Sequence, residues 1–399
     1  MSLIDAGTAP APAGPAPKTR VRLVYILAAV LIAFFLVRAL LGADDLTSAG
    51  AIRAALQLAV PIGLAGLGGV WTERAGVTNI GLEGMLIVGT IFGAWAGYQW
   101  GPWTGVLVGL IAGAVVGALH AVATVVFAVD QIVSGVAINI LAIGVGGVLG
   151  KVFFEGKESA SERQSPPIPD MGTWSIPGID GPLGTLESKH WVILSDLAGI
   201  LRGVFVGLSP LTVLAVALVP LSWLILWRTA FGLRLRSCGE NPTAAETLGV
   251  NVYRTKFLAV VISGAFAGLG GVYLVTVSSG TYLEGQTGGR GVIGLAAMIV
   301  GHGTPGGTFA GALLFGYTDA LRLRSDSSSV PALLAFAAVA LIYLAIRQMW
   351  RIYRTDGPGA LLRRVSPSAV WLVAIGVFAG FVALAVSAAD GLPYRRGEG

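Results

Sequence analysis

The chain is a succession of apolar runs separated by short polar stretches, with runs at 21–41, 51–71, 85–100, 103–127, 132–150, 209–227, 257–276, 291–302, 306–321, 331–346 and 369–388. An α-helix crossing a bilayer needs about 17–25 mostly apolar residues. The pattern therefore predicts an all-α, polytopic transmembrane helical bundle of about 10–11 spans. The shortest runs, 291–302 above all, predict broken or re-entrant helices, which lipid tolerates only where protein or a cavity surrounds them. Residues 1–20, rich in Ala and Pro, read as a flexible cytoplasmic tail, with the transmembrane domain over 21–350. Residues 351–399 read as a cytoplasmic linker, one additional span and a short tail.

Composition agrees. Of the 399 residues 55% are hydrophobic and 12% charged, about half the charged share of soluble domains, too little to cover a water-facing surface of this size. The 58 glycines lie largely inside apolar runs, where small residues let helices approach closely in lipid. Cys238, the one cysteine, excludes an internal disulfide and Cys-based metal sites. The net charge of +5 sits mostly between apolar runs, which points to membrane orientation and not to nucleic acid.

Lys18, Arg20 and Arg22 before the first run place the N-terminus in the cytoplasm. Counting spans from there puts 228–256 and 347–364, with five Lys/Arg each, inside, and the proline-containing stretch 151–208 outside. Arg322 and Arg324 fall on the wrong side of this count. One heptapeptide recurs: Ala65-Gly66-Leu67-Gly68-Gly69-Val70-Trp71 returns as Ala267-Gly268-Leu269-Gly270-Gly271-Val272-Tyr273. The first copy ends an inward span and the second an outward one, the mark of an inverted repeat; chance matching of Ala/Gly-rich helices is the alternative.

Three polar segments interrupt the runs. In 71–85, Asn79 and Glu83 would share one face if the segment were helical. They either organise a helix break and line a translocation path, or belong to an ordinary solvated turn. In 228–250, Asn241 is a good N-cap, Pro242 suits the first helical position and Gly249 the stop. A helix of about two turns results, with Ala244, Ala245 and Leu248 on its apolar face and Glu240 and Glu246 flanking it. So short a helix is marginal alone and must dock, onto a cytoplasmic partner or onto the protein's own helix ends. In 288–307 a short apolar run between glycine clusters suggests another broken helix, with Arg290 expected at a lipid headgroup rather than a substrate. Asn139, inside an apolar run, either joins helices by hydrogen bonds or lines a path.

No nucleotide-hydrolysing motif is present: Gly150-Lys151-Val152 lacks both the leading glycine and the hydroxyl residue of a P-loop. Nor do the three histidines form a zinc signature or any segment a nucleophile elbow. The chain is expected not to be an enzyme.

Segments 73–85 and 239–249, with Ile262-Ser263-Gly264-Ala265-Phe266-Ala267-Gly268-Leu269-Gly270-Gly271 after them, resemble the permease family of bacterial ABC importers for simple sugars, nucleosides and branched-chain amino acids. Residues 73–85 are most similar to the nucleoside branch. The resemblance covers roughly 50–350 and implies about ten helices in the cytoplasmic membrane. It also implies a second permease subunit (a distinct homologue in that branch), a cytoplasmic ABC ATPase carrying ATP and Mg, and an extracytoplasmic substrate-binding protein. On this resemblance Asn79, Glu83 and Asn139 would line the path. Gly239, Glu240, Asn241, Pro242, Ala244, Ala245, Glu246, Leu248 and Gly249 would receive motion from the ATPase. No cofactor or metal would be held by this chain. An ion-coupled secondary transporter is the competing expectation, disfavoured because carboxylates are scarce in the apolar runs; a non-transport scaffold is a further one.

Overall fold

The computed structural model describes residues 46–189, 191 and 194–324, with single positions at 338 and 375. The expected tail 1–20, the spans 21–41, 331–346 and 369–388, and the linker after 350 lie outside the described residues, those two positions apart. The chain falls into two units. The one argued below comprises Thr47–Ser188 and Leu197–Arg324; the other, Met1–Leu46, Lys189–Asp196 and Ser325–Gly399, is described at only a handful of positions.

Twelve helices follow in order among the described residues. They are α1 (Ala49–Arg74), α2 (Leu82–Trp100), α3 (Pro102–Ala121), α4 (Gln131–Phe154), α5 (Asp180–Glu187), α6 (Leu194–Phe205), α7 (Pro210–Arg228), α8 (Ala230–Glu240), α9 (Pro242–Thr247), α10 (Val252–Tyr273), α11 (Arg290–Val300) and α12 (Pro305–Arg324). Single π-helical turns, Val122–Val126 and Leu274–Ser278, prolong α3 and α10. Five helices (α1, α3, α4, α7 and α10) are long and apolar enough to cross a membrane, and the described part of the chain is a multi-pass helical bundle. Local chemistry starts them. Ser48, Asp130, Ser209 and Asn251 cap α1, α4, α7 and α10 by accepting first-turn amides, and Pro102, Pro210 and Pro242 occupy first-turn positions.

Two expectations change in detail. The stretch 151–208, expected on the outside, holds two helices, α5 and α6. Arg202 on α6 pairs with Asp180 at 2.7 Å and with Glu187 at 3.0 Å, while Glu187 also accepts the Ala49 amide. In 228–256 a helix not foreseen, α8, precedes the expected short one. Gly232 and Gly239 inside it lowered its apparent helical strength, and packing of Leu235 and Cys238 into the interior compensates.

The buried centre is α1 against α10. The repeated heptapeptide lies on both, 202 positions apart, and the two helices run antiparallel. A Cβ on Gly68 would stand 2.7 Å from the Ser263 carbonyl oxygen, and one on Gly270 would stand 3.1 Å from that of Pro61. These two contacts map onto each other under the 202-residue offset, so an inverted repeat relates them. The neighbours correspond as well, with an offset of 202 on one side and 205 on the other. Gly66 of α1 abuts Gly294 of α11, as Gly268 of α10 abuts Gly89 of α2. Helix α3 packs on α10 as α12 packs on α1. Two three-helix sets, α1–α3 and α10–α12, thus face each other in opposite senses. Glycines at these crossings bring backbones into contact, and van der Waals packing substitutes for the hydrophobic drive that lipid cannot supply. Large apolar side chains point outward instead, as at Ile111 and Val115 on α3 and Ile140 and Val148 on α4.

Candidate functional site

The first half of each set ends in an interrupted segment, and the two interruptions meet. After α1 the chain turns at Gly76 (φ +72°) and runs without regular structure to Leu82. After α10 it runs through 279–289, with positive φ at Gly280, Gly285, Gly288 and Gly289, before α11 starts at Arg290. The N-termini of α2 and α11 are in backbone contact: a Cβ on Gly291 would lie 2.5 Å from the Glu83 nitrogen. Two helix N-termini are two partial positive charges. The Glu83 carboxylate, 9% exposed, lies against them and accepts the amides of Gly289 at 3.0 Å and Gly291 at 2.6 Å.

Asn79 and Asn139 are at the same break. Asn79 does not share a helical face with Glu83, because it precedes α2 in the irregular stretch. Its oxygen accepts the Gly81 amide at 3.0 Å, and its nitrogen donates to Ser263 Oγ at 3.0 Å on α10. Asn139 of α4 accepts the Gly84 amide at 2.8 Å and donates to the Ile80 carbonyl at 3.0 Å. Both carboxamides thus bond to groups of the break and its neighbours, while Gln131 Oε1 accepts the Thr78 amide at 2.6 Å. His120, fully buried, bonds Ser134 at 3.0 Å. Arg290 does not reach a headgroup. It donates through Nη1 to the carbonyls of Gln286 and Thr287 and pairs through Nη2 with Asp319 at 3.3 Å, while its Nε is buried without a partner.

Beside the break lies a cavity of about 330 Å³, walled by α2, α4 and 282–289. Glu83 and Thr90 line it from α2, Gly146 and Gly147 from α4, and Tyr282, Glu284, Gln286 and Thr287 from the connecting segment. Burial, then the Glu284 carboxylate nearby, push the Tyr282 phenol up to about 12, so it stays uncharged. Residues 282–287 were missed in the sequence although a signal existed. A repeat that places a polar break after the first heptapeptide calls for one after the second.

At the other end, α9 is capped as its sequence predicts: Asn241 Oδ1 accepts the Ala244 amide at 3.0 Å, and Gly249 takes φ +81°. Its apolar residues divide. Ala245 is buried, whereas Ala244 is exposed and Leu248 is 83% exposed. Hollows of about 250 and 440 Å³ adjoin it, one lined by Pro242, Thr243 and Glu246, the other by Arg234, Leu248, Gly249 and Arg254. Gly239, just before, sits on the turn after α1, where a Cβ would lie 3.0 Å from the Gly76 nitrogen. Glu240 shares a polar hollow with Glu73, Arg74 and His302. Among the described residues no group of three or more His, Cys, Asp or Glu could hold a metal.

Comparison with known proteins places these features in context. Residues 51–345 match the family described as the permease component of branched-chain amino acid transport systems. The guanosine ABC transporter permease protein of Bacillus subtilis is 38% identical over 68% of this chain and 81% of its own. The nucleoside ABC transporter permease protein of Lactococcus lactis is 36% identical over 67% of this chain and 80% of its own. A Haloferax volcanii protein, named provisionally as a glucose ABC transporter permease, is 33% identical over 71% of this chain and 80% of its own. No solved structure matches the chain.

Proposed function

Because the chain belongs to the family of permease components of branched-chain amino acid transport systems, a family of transporters and not of enzymes, we propose that it is the membrane-spanning subunit of a nucleoside importer. It works in the cytoplasmic membrane with a second, homologous permease, a cytoplasmic ABC ATPase that binds ATP and Mg, and an extracytoplasmic binding protein. The observation that carries this is the identity to two nucleoside-transporter permeases, each matched over four fifths of its length. A sugar is the second reading, favoured by the glucose-named relative.

In this scheme substrate passes beside the break that Asn79, Glu83 and Asn139 brace. Gly239, Glu240, Asn241, Pro242, Ala244, Ala245, Glu246, Leu248 and Gly249 receive motion from the ATPase. What supports the coupling role is continuity. Leu248 projects into solvent, Ala245 anchors the same helix inward, and Gly239 rests on the Gly76 turn that leads into the break. Push on α9 therefore has a short path of packed backbone to Glu83.

The test is uptake by the purified complex in proteoliposomes. Labelled guanosine should accumulate only with ATP inside the compartment that holds the ATPase; accumulation of glucose alone would select the sugar reading, and uptake without any ATPase would select an ion-coupled transporter. Leu248→Asp is expected to cut uptake at least tenfold while ATP hydrolysis and the unfolding temperature stay near wild type, since an exposed side chain contributes little to folding. Unchanged uptake would remove α9 from the coupling path.

A further inference from the structure

We infer that the cavity between α2, α4 and residues 282–289 is a holding site for the sugar end of an uncharged nucleoside, and that its wall excludes phosphorylated forms. This rests on the nucleoside reading above and goes beyond it, because it assigns recognition to the membrane subunit itself.

The cavity has the right size and an uneven wall. About 330 Å³ falls at the lower end of the roughly 300–1,000 Å³ of small-molecule sites. Ile87, Ile143 and Leu283 supply an apolar side, suited to the face of a base. The opposite side is polar. An ionised carboxylate has about four acceptor positions, and Glu83 uses two of them on the Gly289 and Gly291 amides, which leaves acceptors for ribose hydroxyls. Glu284 adds another carboxylate: its Oε2 pairs with Arg163 at 3.1 Å, while its Oε1 lies on the side of Gly147.

The donor is already in place and unused. Gln286 accepts from Ser279 through its oxygen at 3.2 Å, but its amide nitrogen is buried with no hydrogen-bond partner. A buried donor without a partner costs free energy unless something binds it. The nitrogen is shut off from the cavity as the side chain stands, so a sugar oxygen meets it once Gln286 turns toward the space. Gly146 and Gly147 leave the α4 wall of this space without side chains.

Charge sets the selectivity. The lining holds two carboxylates and no Lys or Arg. Two guanidiniums stand beside the lining: Arg163 is held by Glu284, and Arg290 by Asp319 and the Gln286 and Thr287 carbonyls. A phosphate would face the Glu83 carboxylate, while the one guanidinium at the rim, Arg163, is already paired with Glu284; like charges in a partly buried site repel.

The test measures binding of tritiated guanosine to the purified complex of permeases and ATPase without the binding protein, alongside ATP-driven uptake by the full complex. Two variants are compared with wild type. Gly147→Leu fills the cavity. Gln286→Leu removes the orphan donor, and a purely structural Gln286 would leave binding untouched while shifting only the unfolding temperature. Binding that weakens at least tenfold in both variants, with guanosine monophosphate competing at least a hundredfold more weakly than guanosine, supports the proposal. Guanosine bound and imported by wild type, with both variants unchanged or the monophosphate competing equally, overturns the cavity and leaves the nucleoside importer standing. A complex that takes up a sugar instead, with the same sensitivity to both variants, overturns the nucleoside reading and keeps the cavity as a sugar site. A wild-type complex that binds no nucleoside or sugar overturns both.

Discussion

Glu83→Ala is expected to abolish uptake and to destabilise the permease by about 4 kcal/mol, the loss of two charge-assisted hydrogen bonds that leaves two amides at the start of α11 unpaired. The cost is larger than for an ordinary helix cap. The carboxylate lies against the N-termini of both α2 and α11, whose partial positive charges it offsets, in a place with little water to replace it. Glu83→Gln keeps an acceptor oxygen but no charge and presents an NH2 toward a backbone N–H, so it should fall between wild type and alanine. Asp at the same position is one methylene short and should rescue poorly. Thermal unfolding of the detergent-solubilised protein, paired with uptake, is the measurement. An alanine variant that melts with wild type would show that the break is held by Asn79 and Asn139 alone.

Gly268→Val is expected to prevent stable assembly of the bundle, at a cost of about 3 kcal/mol or more. A Cβ at this position would stand 2.5 Å from the Gly109 carbonyl oxygen and 2.9 Å from the Gly113 Cα, with the α2 backbone at Gly89 against its other side. Three helices would have to separate, and backbone cannot change rotamer to make room. Gly144→Ala on α4 is the control, because nothing lies within 4 Å of a Cβ there and alanine favours helix by roughly 1 kcal/mol over glycine. Size-exclusion profiles and unfolding temperatures of the two variants separate the outcomes. A monodisperse Gly268→Val protein with wild-type stability would mean that the α3–α10 crossing is looser than its backbone contacts indicate.

Both predictions turn on the inverted repeat, which was legible as a heptapeptide but not as a geometry. The sequence placed copies on spans of opposite direction; the structure adds that those two spans are each other's central packing partners. The same logic explains what was overlooked. The polar break at 71–85 drew attention because its charges stand between apolar runs, and 288–307 was read as a broken helix, while 279–287 before it was not singled out. Its counterpart role appears only when Gly289 and Gly291 are found on the Glu83 carboxylate. Arg290 was misplaced for a similar reason. A lone arginine at the end of an apolar run ordinarily reaches for headgroups, and nothing near it in the chain announced Asp319, 29 positions on.

What the sequence by itself determined was local or cumulative. Run length and the scarcity of charge required a membrane-spanning helical protein. Ser48, Asp130, Asn241 and Asn251 started their helices because a cap bonds within its own first turn. Gly249 ended α9 because only a residue free of a Cβ penalty takes φ +81° readily. What only the tertiary structure decided were partners chosen by packing. Glu83 finds its amides 206 and 208 positions away, Asn79 its serine 184 away, and the cavity wall comes from three separated segments. No propensity or periodicity spans such distances. They are settled when glycine-lined helices close on one another and each buried polar group must take a partner from whatever backbone the packing brings beside it.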